Sequence, residues 1–151
     1  MSTIINTPSV GLNQDIESSI KPTTYSILLG NQKLAVEIMR TLEEQNQGLS
    51  GRESLPEDRG MLFVYTKPGI QHFWMKDMLF PIDIIWINEG KIVAITNDIP
   101  IPDQDTPISQ LPTYASPQPV SAVLEVNAGY TKKHNIAIGD AVELTNFEPN
   151  I

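Results

Sequence analysis

HFWMKDMLFPIDIIWI, residues 72–87, places Lys76, Asp77 and Asp83 inside a run otherwise rich in Trp, Phe, Met and Ile. A charge withdrawn from water needs a partner or a neutral form. The run is therefore expected to fold around a polar arrangement supplied by the rest of the chain. Its second half, 82–87, reads as a strand that pairs through an Asn88-Glu89-Gly90 turn with 91–96. Pro81 interrupts the stretch before it. Residues 71–76 read as another strand, with His72, Trp74 and Lys76 on one face and Phe73, Met75 and Asp77 on the other.

Toward the N-terminus, 25–29 and 33–39 are short β-type runs separated by Gly30-Asn31, a dipeptide suited to a tight hairpin turn. Leu34, Val36 and Ile38 share one face of the second run, while Lys33, Ala35, Glu37 and Met39 form a mixed face of the kind that meets water. Thr41 and Glu44 have capping-box spacing for a short helix, which Gly48 is placed to end. The turn-rich GLSGRESLPEDRG, 48–60, delivers Arg52 and leads into an apolar strand at 61–65, and Lys67-Pro68-Gly69 reads as a turn.

Toward the C-terminus, 97–119 holds half of the twelve prolines and has no period, so it is expected to be an irregular loop. In 120–126 Val120, Ala122, Leu124 and Val126 face one way, and Ser121, Val123, Glu125 and Asn127 the other. TKKHN reads as one helical turn capped by Thr131, and 141–144 as the last strand. Some seven short strands, one short helix and no internal repeat predict a single mainly β domain, a sandwich or barrel. Its expected extent is 24–147 with the Pro-rich loop at 97–119, preceded by a flexible tail or tether at 1–23.

Composition excludes several classes of function. A chain of 151 residues has room for one domain with a real core. The net charge of −8 and the scattered basic residues argue against nucleic-acid and anionic-membrane binding, which need a concentrated cationic face. Without cysteine there are no disulfides, thiolate metal sites or Cys nucleophiles. No run of about 18 apolar residues reads as a membrane span. The first residues lack the pattern of a signal peptide, although an export signal or anchor on a longer precursor is compatible with a tether there. Phosphate-binding, dinucleotide, nucleophile-elbow and zinc-protease motifs are missing. Ser50 has no nearby His to activate it. His72 and His134 lie in separate segments, and Asp98, Asp103 and Asp105 lack the glycine turn and terminal Glu of a calcium loop, so neither a metal nor a cofactor is expected.

GLSGRESLPEDRGMLFVY, FWMKDMLFPIDIIWI and VLEVNAGYTKKHNIAIGDAVEL, in this order and spacing, resemble the bacterial and archaeal family called domain of unknown function 192, over roughly residues 28–144. The resemblance implies a jelly-roll-like sandwich and, for many relatives, export or lipid anchoring at the envelope. It implies no activity and carries over no catalytic residue. Met78-Leu79 departs from the pattern, since many relatives have a Thr after the Lys-Asp pair. The Pro-rich loop is also idiosyncratic.

The residues themselves predict one polar cluster of Arg52, Lys76, Asp83 and Glu125 beneath the Pro-rich loop. It reads either as a structural ion network, as an anion-recognising pocket using Arg52 and Lys76, or as an acid/base pair of Asp83 and Glu125. If buried, Asp83 requires Arg52, Lys76 or backbone donors. Trp74, Trp86, Phe73, Phe80 and Tyr65 read as core or as a stacking platform, and Tyr114 as a cap on a pocket. Expected overall is a monomeric, non-enzymatic module that binds a small anionic or polar ligand or a protein segment. A small hydrolase or lyase and a structural accessory domain are the alternatives.

Overall fold

The computed structural model describes residues 24–145, in nine strands and two short helices. The expected tail at 1–23 and the last two residues of the expected domain lie outside the described residues. The strands are β1 (Thr24–Leu29), β2 (Gln32–Met39), β3 (Arg59–Gly69), β4 (His72–Trp74), β5 (Ile82–Asn88), β6 (Lys91–Ile99), β7 (Thr113–Ala115), β8 (Val120–Asn127) and β9 (Val142–Thr145). The helices are α1 (Leu42–Gln47) and α2 (Tyr130–Lys133).

Seven strands form one sheet in the order β6-β5-β8-β3-β2-β1-β9, and β4 pairs with β7 in a separate two-stranded ribbon. All pairs are antiparallel except β2 with β3. The sheet curls into a half-barrel whose two edges meet at one end through a bridge between Lys91 and Ala141. The expected sandwich or barrel is thus a curled sheet, mainly β and a single domain. Gly30 and the Glu89-Gly90 pair, all at positive φ, make the two predicted hairpin turns.

Strand alternation divides the core in two. Ile27, Leu29, Leu34, Val36, Leu62, Ile85, Ile87, Leu124 and Val126 point into the half-barrel. Met61, Phe63, Ile82, Ile84, Trp86 and Val123 point to its outer side, where Leu49, Leu55, Met75 and Met78 from the connecting segments cover them. The parallel β2–β3 pair requires a crossover. Residues 40–58 supply it, and they carry α1 and the Gly48–Gly51 bends across the outer face.

Several local expectations are corrected. Lys67-Pro68-Gly69 is the end of β3, beyond a register irregularity that frees Pro68 from the ladder, and not a turn. The strand expected at 71–76 shortens to β4, which pairs with β7 outside the main sheet, and Asp77 at φ 57 turns the chain beyond it. The Pro-rich segment contains the end of β6, one 3-10 turn at Ile108–Gln110 and β7. Gly129 caps α2, while Thr131 sits buried inside it.

Candidate functional site

The outer face of the sheet carries a cleft of about 800 Å³. Phe63 and Tyr65 of β3 and Glu125 of β8 line it together with Phe73 and Trp74 of β4, Lys76, Asp77 and Met78 of the following turn, and α1 with the 48–51 loop. Thr41 and Glu44 close the predicted capping box on α1, and Gly48 ends the helix with its N–H donating to the Glu44 carbonyl. Gly48 has φ +47, and a Cβ there would stand 3.4 Å from the Phe63 ring. The loop is tied to the opposite wall. Ser50 Oγ donates to the Lys76 carbonyl at 2.8 Å, and Gly51 N–H donates to the Asp77 carbonyl at 2.8 Å. Phe73 meets Phe63 edge to face at 5.0 Å between ring centres. These contacts hold both walls at fixed spacing over the sheet.

Glu125 is 5 % exposed. Among the described residues no hydrogen-bond donor reaches its carboxyl, and burial alone pushes its pKa up to about 8. Tyr65 beside it is raised as well, by burial first and by the Glu125 charge second. At neutral pH Glu125 is therefore a mostly protonated acid beside a neutral phenol, in a cleft whose lining also includes Lys76, Asp77 and several side-chain amides.

The four residues expected in one cluster are not brought together. Asp83 is fully buried, and its partners are none of the predicted cations. One carboxylate oxygen accepts from Asp98 N–H at 2.8 Å and Gly129 N–H at 3.2 Å, and the other from Thr131 N–H at 3.1 Å and Thr131 Oγ1 at 2.8 Å. Backbone donors, the third option read from the sequence, satisfy it. Asp83 pairs in register with Val126, whereas Ile84 pairs with Glu125. The two carboxyls consequently point to opposite sides of the sheet, which excludes them as an acid/base couple.

Arg52 is also diverted. It makes a bidentate pair with Glu37, both bonds 2.8 Å, and this contact holds the Glu37 carboxyl below the usual range and raises Arg52. Along the outer face Met61 stands in register between Glu37 and Glu125, so the ion pair and the lone acid occupy separate places. Lys76 does line the cleft, with its Nζ 5.7 Å from the Trp74 ring centre and 3.9 Å from Asp77. Trp74 is 44 % exposed at the rim, as a platform residue requires. Tyr114 packs on the outer core through β7 and does not line the cleft, so the expected cap is instead α1 with the 48–51 loop. Sequence reading missed Gln45, Gln71 and Met78 as lining residues; its one clue was the glycine-rich segment, read only as bends. Among the described residues no helix is long and apolar enough to cross a membrane.

Comparison with known proteins adds a family and a fold. Residues 26–144 match the family model DUF192, described as Uncharacterized ACR. A solved structure from Sinorhizobium meliloti 1021, described as a "putative transcription regulator", is similar at 28% identity and a TM-score of 0.68, covering 80% of this chain and 92% of that one. A protein of unknown function from Novosphingobium aromaticivorans DSM 12444 is similar at 27% identity and a TM-score of 0.67, covering 80% and 83%. No curated protein matches.

Proposed function

We propose that this chain, which belongs to the DUF192 family, is a small-ligand-binding module whose site is the outer cleft floored by Glu125. One observation carries the reading: a carboxyl almost wholly removed from water, without a donor among the described residues, lines an open cleft. Buried polar groups are as a rule satisfied; among the described residues the sealed exceptions are Asn88 Oδ1 and Tyr130 Oη, whereas Glu125 opens on a cavity, where a ligand can complete its bonding. The neighbouring Asp83, saturated by four donors, makes the exception sharper.

An anion site at Arg52 and Lys76 has lost its support, because Arg52 is bound to Glu37 and lies outside the cleft lining. The enzyme alternative retains one acid of raised pKa, but its intended partner is on the far side of the sheet. Ser50 donates its proton to a carbonyl and has no base in the hydrogen bonds it makes. The regulator description of the Sinorhizobium protein supplies no nucleic-acid role here, since the basic residues are scattered and the chain is strongly acidic.

The test is a mixed small-molecule library screened by two-dimensional amide NMR. Expected are hits that shift the amides of Gly48, Ser50, Tyr65 and Glu125. A library without hits, or hits confined to other faces, overturns the proposal.

A further inference from the structure

Taking that cleft as the binding site, we propose that its ligand is an organic cation: a primary ammonium or guanidinium group on an aliphatic stem, its head received by Glu125 and its stem lying among Phe63, Tyr65, Phe73 and Trp74. The inference rests on which groups remain unengaged. Glu125 offers lone pairs and a latent negative charge in the wall of the cleft, with no protein donor among the described residues to use them. A cationic head supplies hydrogen bonds and the compensating charge together, as a neutral hydroxyl does not. Four aromatic residues line the same cavity; Trp74 already stands under Lys76, which leaves Phe63, Tyr65 and Phe73 to attract a further cation through their ring quadrupoles. The net charge of −8 adds a long-range attraction for cations.

The competing ligand classes find less. A sugar would find the Asn46 and Gln71 amides, since Gln45 and Gln47 already donate to protein carbonyls, but its neutral hydroxyls would bring no charge to compensate the Glu125 carboxylate. An anion needs free positive charge, and the cleft's Lys76 lies over Trp74 beside Asp77. The titratable and charged groups lining the cavity are Tyr65, His72, Lys76, Asp77 and Glu125, and of these only Glu125 is nearly inaccessible to solvent. Binding of a cation at neutral pH converts the Glu125 acid to its carboxylate. The O–H bond breaks, the proton passes to solvent, and the carboxylate pairs with the ammonium or guanidinium, which keeps its own protons.

The experiment is titration calorimetry of the full chain with n-butylammonium and with methylguanidinium, each in two buffers of different ionisation enthalpy, alongside N-acetylglucosamine and butyrate. Expected at pH 7 is saturable binding of a cation with release of most of one proton, the release fading above about pH 9. Glu125→Gln, which retains shape and removes the charge, should weaken cation binding at least tenfold and abolish proton release. Its folded state is verified by an unchanged circular dichroism spectrum. A Gly-Lys-Gly peptide binding at least tenfold tighter than butylammonium places the cation on a polypeptide, and equal affinity places it on a free amine. Cation binding that persists unchanged in Glu125→Gln, or no binding of either cation, overturns the ligand class. If N-acetylglucosamine or butyrate then shifts the cleft amides, the binding-module reading stands without it; if the library is silent too, both fall.

Discussion

Asp83 and Glu125 lie on adjacent strands, one position out of step, and both are hidden from solvent, yet their surroundings are opposite. Asp83 faces the interior of the half-barrel with four donors around it, joining β5 to the end of β6 and to the start of α2. Glu125 faces outward among aromatic rings, and no donor among the described residues reaches it. Burial is the same in the two cases, so it cannot by itself distinguish scaffold from site. What distinguishes them is whether the protein has completed the hydrogen bonding of the group. A saturated carboxylate holds segments together, and an incomplete one leaves chemistry for something else to finish.

The contrast can be broken experimentally. Asp83→Ala orphans three backbone N–H groups and the Thr131 hydroxyl, and should destabilise the chain by about 4 kcal/mol in urea denaturation. An unchanged midpoint would refute the scaffold role. Glu125→Gln should act in the other direction. With its folded pKa raised from 4.5 to about 8, Glu125 favours the fold when protonated, so that contribution is full below about 4.5 and is lost as pH rises toward 8. Wild-type stability should fall by about 1.4 kcal/mol per pH unit across that window from this group, and the Gln variant should lack the slope. It should then exceed wild type by about 3 kcal/mol at pH 7. Matching pH profiles for the two proteins would show that the carboxyl is in fact solvated.

Smaller effects refine the boundary of the site. Gly48→Ala forces a Cβ onto a backbone at φ +47 and against Phe63, and is expected to cost about 1–2 kcal/mol and to weaken ligand binding at the roof of the cleft. Calorimetry showing wild-type stability would remove the conformational argument. Arg52→Gln breaks the half-exposed pair with Glu37 and should cost under about 1 kcal/mol. The pair's contribution is present above the ordinary carboxylate range and lost as pH falls through the depressed Glu37 pKa, so the variant should differ from wild type above that range and converge with it in acid. Cleft binding should be untouched, and any loss of affinity would return Arg52 to the site.

Much of this was readable in the chain, though unevenly. The hairpins at Gly30-Asn31 and Glu89-Gly90 and the Thr41–Glu44 capping box were legible because each depends on residues near one another in sequence. The burial of Asp83 was legible from its aliphatic flanks. Its partners were not: three of the four donors are backbone N–H groups, which every residue but proline has, so no side-chain pattern announces them. Glu37 belonged to a mixed face read as facing water, and nothing local revealed that the crossover would bring Arg52 to it. The cleft depended on β4 leaving the main sheet to pair with β7, a long-range pairing that no local pattern announces. The opposed directions of Asp83 and Glu125 followed from alternation along each strand, but only the register between β5 and β8 turned two patterns into a geometry.

That register has a consequence for assembly of the sheet. Alternation means that sliding β8 by a single position along β5 reverses every one of its side chains, which carries Glu125 inward to the side where Asp83 already stands. A second acid would then be enclosed beside Asp83, while apolar residues such as Leu124 and Val126 turn outward. The misaligned chain is therefore penalised at its centre. The placement of the two acids on opposite sides is thus compatible with the native register and not with its one-residue slip.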